Sequence, residues 1–573
     1  MEIDPDVKEI VDKESQFVAE NEEILSNYIT WLKQYLVKPL KRRTGVQSNT
    51  ASPELHSEVE AVTTAIMEMV FSDNTESGFF AALPATADDA DLARNAEAVI
   101  TRELELSKFK KRFLSFSRML ILYGTQVGKI VWNMKRRSVG LPGNRTRKIV
   151  ADWPEFRYQS MIGFRYDGAA RDIDDAGWYS CVIPVSPYEA RIMEKNGKWA
   201  NVQEAISKLS QSSRDTHREE RLTMAMDSSQ ATASRELEII EYYGTLASKN
   251  DSEIYKMTCT KSGVKLTEPE LNPYPHGRRP AIKATWIDIG DHFRGVGLGE
   301  INSLPLQEKT ERKNLMLDAI KRALYHMWVK RAGSGIEDET FIFQPDGIIE
   351  SQMADGITPL RPDISFLPMA LRMDGVSNDE MMRASAAMST LQAIPLDITA
   401  TESKTVHQEA VRRIKVYVIA NVASFLEDVL LTYHELNTYL LDDDMLTEMV
   451  GEDGKMMLQS FNKRHLPMDL RIRLKPSIDV GSRAAMQKNL NEFLISLAAL
   501  IKSDPRYRLN PMAAIRYTAK NYGMNPNEFV EEMAMGPAMQ SPSARGAAMN
   551  QMGAQGNGIL AEQAARAASA MGI

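Results

Sequence analysis

The stretch TATESKTVHQEAVRRIKVYVIANVASFLEDVLLTYHELNTYLL, Thr399–Leu441, contains neither glycine nor proline. Val418, Val422, Phe425, Val429, Tyr433, Leu436 and Leu440 recur at steps of three and four, which gathers them on one face of an α-helix. Asp397 or Thr399 serves as N-cap; with Thr399 in that role, Glu402 three residues later completes a reciprocal capping box. A continuous helix over this span reaches roughly 60 Å at 1.5 Å per residue, far beyond the common three-turn helix. So long a helix with one apolar stripe predicts an element that runs the length of an assembly.

Upstream, helical patterns are predicted from Asp6 to Leu40, from Pro53 to Val70 and from Asp88 to Leu122. The basic cluster Lys38–Arg43 reads as a solvated helix end. At Tyr123 the period changes. Tyr123–Arg136, Phe156–Tyr158, Gly177–Ser186, Leu237–Tyr243 and Ile254–Thr260 carry strand signals, which predicts an α+β unit with a mostly antiparallel sheet. Ser207–Arg235 is polar and predicted to be an exposed loop or a marginal helix. From Ser303, a plausible cap followed by Pro305 in a first turn, a helix is predicted to Trp328. Its stripe (Leu315, Ala319, Ala323, His326) is thin and its remainder charged. Gly333–Asp363 is rich in Gly, Asp and Pro, with short strand signals at Phe341–Phe343 and Gly347–Glu350, and a second helix is predicted at Asn378–Gln392. Helices at Arg483–Lys502 and Pro511–Asn521 precede a tail of Ala, Gly, Met and Gln.

The 573 residues carry 69 Lys+Arg and 77 Asp+Glu, a net charge of −8, which argues against a broad basic surface for nucleic acid. Cys181 and Cys259 are too few for a disulfide scaffold or a cysteine-based zinc site. No apolar run approaches the roughly 18 residues that span a bilayer, and MEIDPDVKEI is no secretory signal, so the chain is expected to be soluble and intracellular.

No catalytic constellation emerges, and no cofactor or metal is expected. Gly295–Glu300 (GVGLGE) lacks the Gly-Lys-Ser/Thr of a phosphate loop and the sixth-position glycine of a dinucleotide fingerprint; its glycines are read as a sharp turn into the helix near Ser303. Asp288, Asp291 and Glu300 are the carboxylates from which a metal site would be built. His407 and His434, on the long helix, read as structural.

In order and spacing, four segments resemble the portal (head–tail connector) proteins of tailed bacteriophages: YGTQVGKIVW (Tyr123–Trp132), PYPHGRRP (Pro273–Pro280), HFRGVGLGEINSLPLQEKTERKNLMLDAI (His292–Ile320) and TATES (Thr399–Ser403). The resemblance spans roughly Ile10 to Asn527. It implies a predominantly α-helical α+β ring subunit divided into wing, stem, clip and crown. N-terminal helices and an α+β wing would occupy 1–302, a stem helix 303–328, the clip 329–374 and a second stem helix 375–392. A tunnel loop at 393–398, a long kinked helix at 399–441, a return to the wing at 442–482, a crown at 483–532 and a tail at 533–573 would follow.

The family's function is non-enzymatic. A homo-oligomeric ring, usually of twelve subunits, sits at one capsid vertex of the virion, having assembled in the host cytoplasm, and is the channel for packaging and ejecting double-stranded DNA. Its partners are the terminase large subunit, head-completion, adaptor and tail proteins, and the major capsid and scaffolding proteins, with no membrane anchor. The resemblance marks Leu396, Asp397, Ile398 and Lys404 as candidates facing DNA. Lys321, Arg322, Lys330 and Arg331 become candidates for weak channel contacts or inter-subunit salt bridges, and Thr399 and Glu402 cap the long helix. An acidic subunit suits a channel through which a polyanion slides. The alternatives are a metal-dependent nuclease of the packaging machinery and a helical tail or scaffold interaction protein.

Overall fold

The computed structural model describes residues 4–40, 48–71, 79–84, 89–139, 146–208, 236–249, 253–324, 327–333, 352, 356–360, 365–385, 412–441, 445–450, 456–461 and 466–474. Nearly all belong to one compact unit, Met1–Met449 with Met457–Gly481; of the second, Val450–Met456 with Ser482–Ile573, only Val450 and Met456 are described. The tunnel loop, the crown, the tail and the segment 399–411 lie outside the described residues, as do His326, His407 and the strand signals at 341–343 and 347–350.

The predicted N-terminal helix is two, α1 (Pro5–Glu20) and α2 (Glu22–Tyr35). Asp4 caps α1 by accepting from the Asp6 N–H at 3.0 Å. The break falls at Asn21, whose side-chain amide and backbone N–H both donate to the Phe17 carbonyl at 3.0 Å. An asparagine offers the backbone a local alternative to helix, so no glycine or proline is needed. After α3 (Glu54–Phe71) and strand β1 (Phe80–Pro84), the pattern predicted from Asp88 is likewise divided, into α4 (Ala90–Leu106) and α5 (Phe109–Tyr123). Lys108, at φ 54°, makes that division.

Gly124, at φ 80°, ends α5 and turns the chain into β2 (Thr125–Val139). This strand pairs antiparallel with β3 (Thr146–Gln159) from Val127 to Val139. A second sheet orders β4 (Phe164–Tyr166), β5 (Trp178–Val185), β6 (Leu237–Gly244), β7 (Tyr255–Thr260) and β8 (Glu270–Leu271), all antiparallel. Between β5 and β6 lie α6 (Pro187–Lys195), opened by a Ser186–Glu189 capping box, and α7 (Val202–Lys208); residues 209–235 are outside the description. Strand β9 (Ala281–Thr285) returns to pair with Thr125–Lys129 of β2. Lys129 of β2 meets Glu241 of β6 at 2.6 Å, so a buried ion pair links the two sheets. Mixed helix and antiparallel strand, with helix predominating among the described residues, agrees with the expected α+β class.

Helix α8 runs Leu298–Leu324, followed by the antiparallel pair β10 (Met327–Lys330) and β11 (Ile357–Leu360) and by α9 (Leu367–Ser385). Two expectations are corrected here. The first helix begins five residues before Ser303 and takes Pro305 into its interior, and the second begins eleven residues before Asn378. From 412 the long helix, α10, continues to Leu440, with a π-helical turn at Val418–Val422, the usual means of bending a helix without proline. A strand pair, β12 (Met445–Val450) with β13 (Met456–Phe461), follows. Then β14 (Leu470–Leu474) returns to pair with β1.

The stripe read along α10 is the core. Val418, Val422, Phe425, Val429, Tyr433 and Leu436 are all buried. Phe425 stacks on Phe116 of α5, with centroids 4.7 Å apart, and meets Phe156 of β3 edge-on; the Tyr433 hydroxyl accepts from the Phe156 N–H at 2.9 Å. Gly128 of β2 makes room for these rings, since a Cβ there would stand 2.4 Å from Phe156 and 3.1 Å from Phe425. Phe425→Ala is expected to cost about 3–5 kcal/mol of unfolding free energy, measured as a lowered urea midpoint.

None of the glycines of GVGLGE has positive φ, so left-handed geometry is not what calls for glycine there. They permit contact. A Cβ on Gly297 would lie 2.3 Å from the Gly124 nitrogen, one on Gly295 2.6 Å from the Ile287 carbonyl, and one on Gly299 2.6 Å from that of Leu122. Gly297→Ala is expected to destabilise by about 1–3 kcal/mol or more, read from the thermal midpoint, because the obstruction is main chain that cannot rotate away.

Candidate functional site

Helix α8 carries two of the described site candidates, Lys321 and Arg322, and the chemistry of the α8–α9 pair is inverted relative to an ordinary amphipathic helix. The surface of α8 that meets the rest of the chain is largely polar. Asn302 donates to Glu58 of α3, and Lys309 binds Glu54 of α3 and Asn378 of α9. Arg312 holds Asp374 at 2.7 Å and Ser377 at 2.9 Å, both on α9. Further along, Asn314 accepts from the Thr50 N–H and hydroxyl at 2.9 and 2.7 Å. Asp318 accepts from those of Ser48 at 2.8 and 2.6 Å. Lys321 closes the row by donating to the Ser48 hydroxyl at 2.8 Å. Ser303 caps nothing; it is buried inside the helix, where its carbonyl accepts from Gln34 of α2 at 3.3 Å.

Apolar side chains, meanwhile, stand outward. Leu304 is 75% exposed, Leu324 70% and, on α9, Met369 71%, with Leu315 and Leu371 also more than half exposed. The thin stripe through Leu315 predicted as the buried face is therefore corrected. Leu306 and Met316 are buried, and between them the contacts are made by Lys309, Arg312 and Asn314. A row of charged residues reads in sequence as solvent-facing; only the matching Glu54 and Glu58, one turn apart on α3, signals otherwise.

Of the candidate cations, Lys321 is engaged by Ser48, while Arg322 is exposed in the last turn of α8. Lys330 and Arg331 are exposed at the end of β10, where the Arg331 N–H donates to the Gly356 carbonyl at 3.0 Å. Leu396, Asp397, Ile398, Thr399, Glu402 and Lys404 lie outside the described residues.

The carboxylates weighed for a metal are separately occupied. Asp288 accepts from the Gly290 N–H at 3.2 Å, Asp291 stands 3.4 Å from Arg171, and Glu300 lies 3.1 Å from Arg294. Among the described residues no group of three or more His, Cys, Asp or Glu side chains could hold a metal ion. His434 is buried with Nε2 donating to the Pro467 carbonyl at 2.9 Å, and burial holds its pKa below the ordinary value. Cys181 and Cys259 are buried and unpaired. No described helix is long and apolar enough to cross a membrane. No protein-family model and no curated protein matches the chain.

Burial pushes the Glu58 carboxyl up from 4.5 to about 7; the Asn302 hydrogen bond opposes this, the neighbouring Glu54 adds to it and Lys309 opposes it. An acid whose folded pKa is raised binds its proton more tightly when folded, so stability is fullest at low pH and falls as pH rises from about 4.5 to about 7. The full loss is on the order of 3 kcal/mol. Glu58→Gln keeps an acceptor for Asn302 without the charge. The variant is expected to match the wild type at pH 4 and to exceed it by about 1–3 kcal/mol at pH 8, measured by urea denaturation at both values.

Proposed function

We propose that the chain is a subunit of a portal-type ring, a non-enzymatic conduit for double-stranded DNA at a capsid vertex and a docking platform for packaging and head-completion proteins. One observation carries the reading beyond the resemblance in sequence: the helix pair turns a polar seam inward and leucine and methionine outward. Exposed leucines scattered singly are unremarkable, but a run of them along two packed helices marks an interaction surface. Side-by-side copies in a ring would bury that surface and leave the charged residues for the lumen and the seams. The bent α10, the strand pair joining α8 toward α9, and the return of β14 to β1 suit the same subunit plan.

In this reading Arg322, Lys330 and Arg331 offer weak phosphate contacts or bridges between subunits. The virion location, the terminase and adaptor partners and the twelvefold count follow from the same reading. Negative-stain images of the purified full chain are expected to show closed rings with a central channel; monomers or open filaments would sink the proposal. Leu315→Asp combined with Leu324→Asp is expected to convert rings to monomers while far-UV circular dichroism keeps its helical signal. Rings at wild-type yield in that variant would remove this face from the assembly.

A further inference from the structure

The loop that joins β8 to β9 carries PYPHGRRP, Pro273–Pro280, and lies against α10. Its turn is tied by local hydrogen bonds. The Asn272 side-chain amide donates to the Gly277 and Arg278 carbonyls at 3.2 and 2.8 Å, and the Gly277 N–H donates to the Tyr274 carbonyl at 3.0 Å. The last tie is the Arg278 N–H, which donates to His276 Nδ1 at 3.1 Å. A ring nitrogen that accepts carries no proton, so in this geometry His276 is neutral and its proton is on Nε2. That Nε2 is buried without a hydrogen-bond partner, on a side chain only 2% exposed.

Nδ1 has a second neighbour. Glu435 Oε2 of α10 stands 3.9 Å from it, and that oxygen is itself buried and without a hydrogen-bond partner; Arg278 Nη2 lies 3.4 Å from the other oxygen, Oε1. The 3.9 Å gap is too long for a hydrogen bond, yet a small movement of the ring closes it. The charged groups around the pair are Arg278 in the loop, Glu427, Asp428 and Glu435 on α10, and Asp172 and Asp174 between β4 and β5. The Tyr274 ring packs on His276 with centroids 5.7 Å apart, and Arg157 of β3 faces that tyrosine. Carboxylates therefore outnumber guanidiniums here.

A second proton on the ring changes which neighbour Nδ1 can serve. As a donor it no longer accepts from the Arg278 N–H, and the unpartnered Glu435 oxygen becomes its natural acceptor. We infer that His276 is an acid-operated switch: neutral, it holds the turn of its own loop, and protonated, it releases that turn and pairs with Glu435, tying the loop to α10 instead. Burial, with Arg278 beside it, holds the His276 pKa below its ordinary 6.5; burial raises that of Glu435, which Arg278 opposes and Asp428 reinforces. A histidine whose folded pKa is lowered favours the fold when neutral, so its contribution is full above 6.5 and is lost as the pH falls.

The test is nuclear magnetic resonance of the full chain labelled at its histidine ring nitrogens, with the His276 signals assigned by their loss in His276→Asn. At about pH 8 the proton is expected on Nε2 with Nδ1 bare, and the titration midpoint is expected to fall by about one unit in Glu435→Gln, because the imidazolium loses its anionic partner. A proton on Nδ1 at that pH, or a midpoint that Glu435→Gln leaves unchanged, overturns the inference. Should Glu435→Gln fail to fold, hydrogen exchange decides. His276→Asn keeps an acceptor for the Arg278 N–H but cannot titrate. The amides of residues 272–280, corrected for intrinsic rate, are expected to lose protection about fivefold between about pH 8 and about pH 5 in the wild type and to keep it in His276→Asn. Equal loss in both proteins, or none in either, overturns the inference. Neither readout depends on ring assembly.

Discussion

Where the segment before α8 crosses the end of α5, main chain meets main chain. The Gly124 nitrogen lies where a side chain on Gly297 would begin, and a Cβ on Gly124 would in turn stand 2.4 Å from the Gly297 nitrogen. Two hydrogen bonds lock the approach: the Trp286 N–H donates to the Gly124 carbonyl at 2.8 Å, and the Gly295 N–H donates to the Thr125 hydroxyl at 2.6 Å. Gly299 then lets Trp31 of α2 lie against the first turn of α8. Everything carried by α8, including its seam to α3 and its pairing with α9, is positioned by this contact. The start of α8 is thus held by these contacts, and Pro305 lies in the helix interior rather than at its opening.

The long apolar stripe was legible because burial and periodicity agree along α10; every one of its residues from Val418 to Leu436 is in the core. Strands β2, β5, β6 and β7 were legible from their apolar and β-branched content, whereas β3 was read only at Phe156–Tyr158 and the short β4, β8 and β9 were missed. The breaks at Asn21 and Lys108 were not. One is a side chain competing for a carbonyl and the other a lysine in left-handed geometry, and neither residue type stops a helix by itself. The start of α8 differs from the expected one because Ser303 and Pro305, good opening residues by type, lie inside a helix that already begins at Leu298. As for the candidate site, Lys321, Arg322, Lys330 and Arg331 were legible as positions but not as contacts. The partner of Lys321, Ser48, lies 273 residues away in the chain.

The polar seam has an energetic consequence for assembly. A buried row of ion pairs and hydrogen bonds is geometrically demanding but contributes modestly to net stability, since desolvation offsets much of the attraction. Such a seam fixes the register of α8 against α3 and α9 more than it drives their association. Strong apolar burial is then left to the outer face, where a neighbouring copy would supply it. In the proposed ring, a subunit built this way would be specified before assembly and stabilised by it.

Net charge conceals this protein's electrostatic division. Since Leu106–Ala151 holds twelve cations and no acid within a total of −8, the remainder carries −20. Gathering twelve cations into one stretch of sequence leaves the rest of the chain strongly acidic, so the net charge of −8 describes neither part.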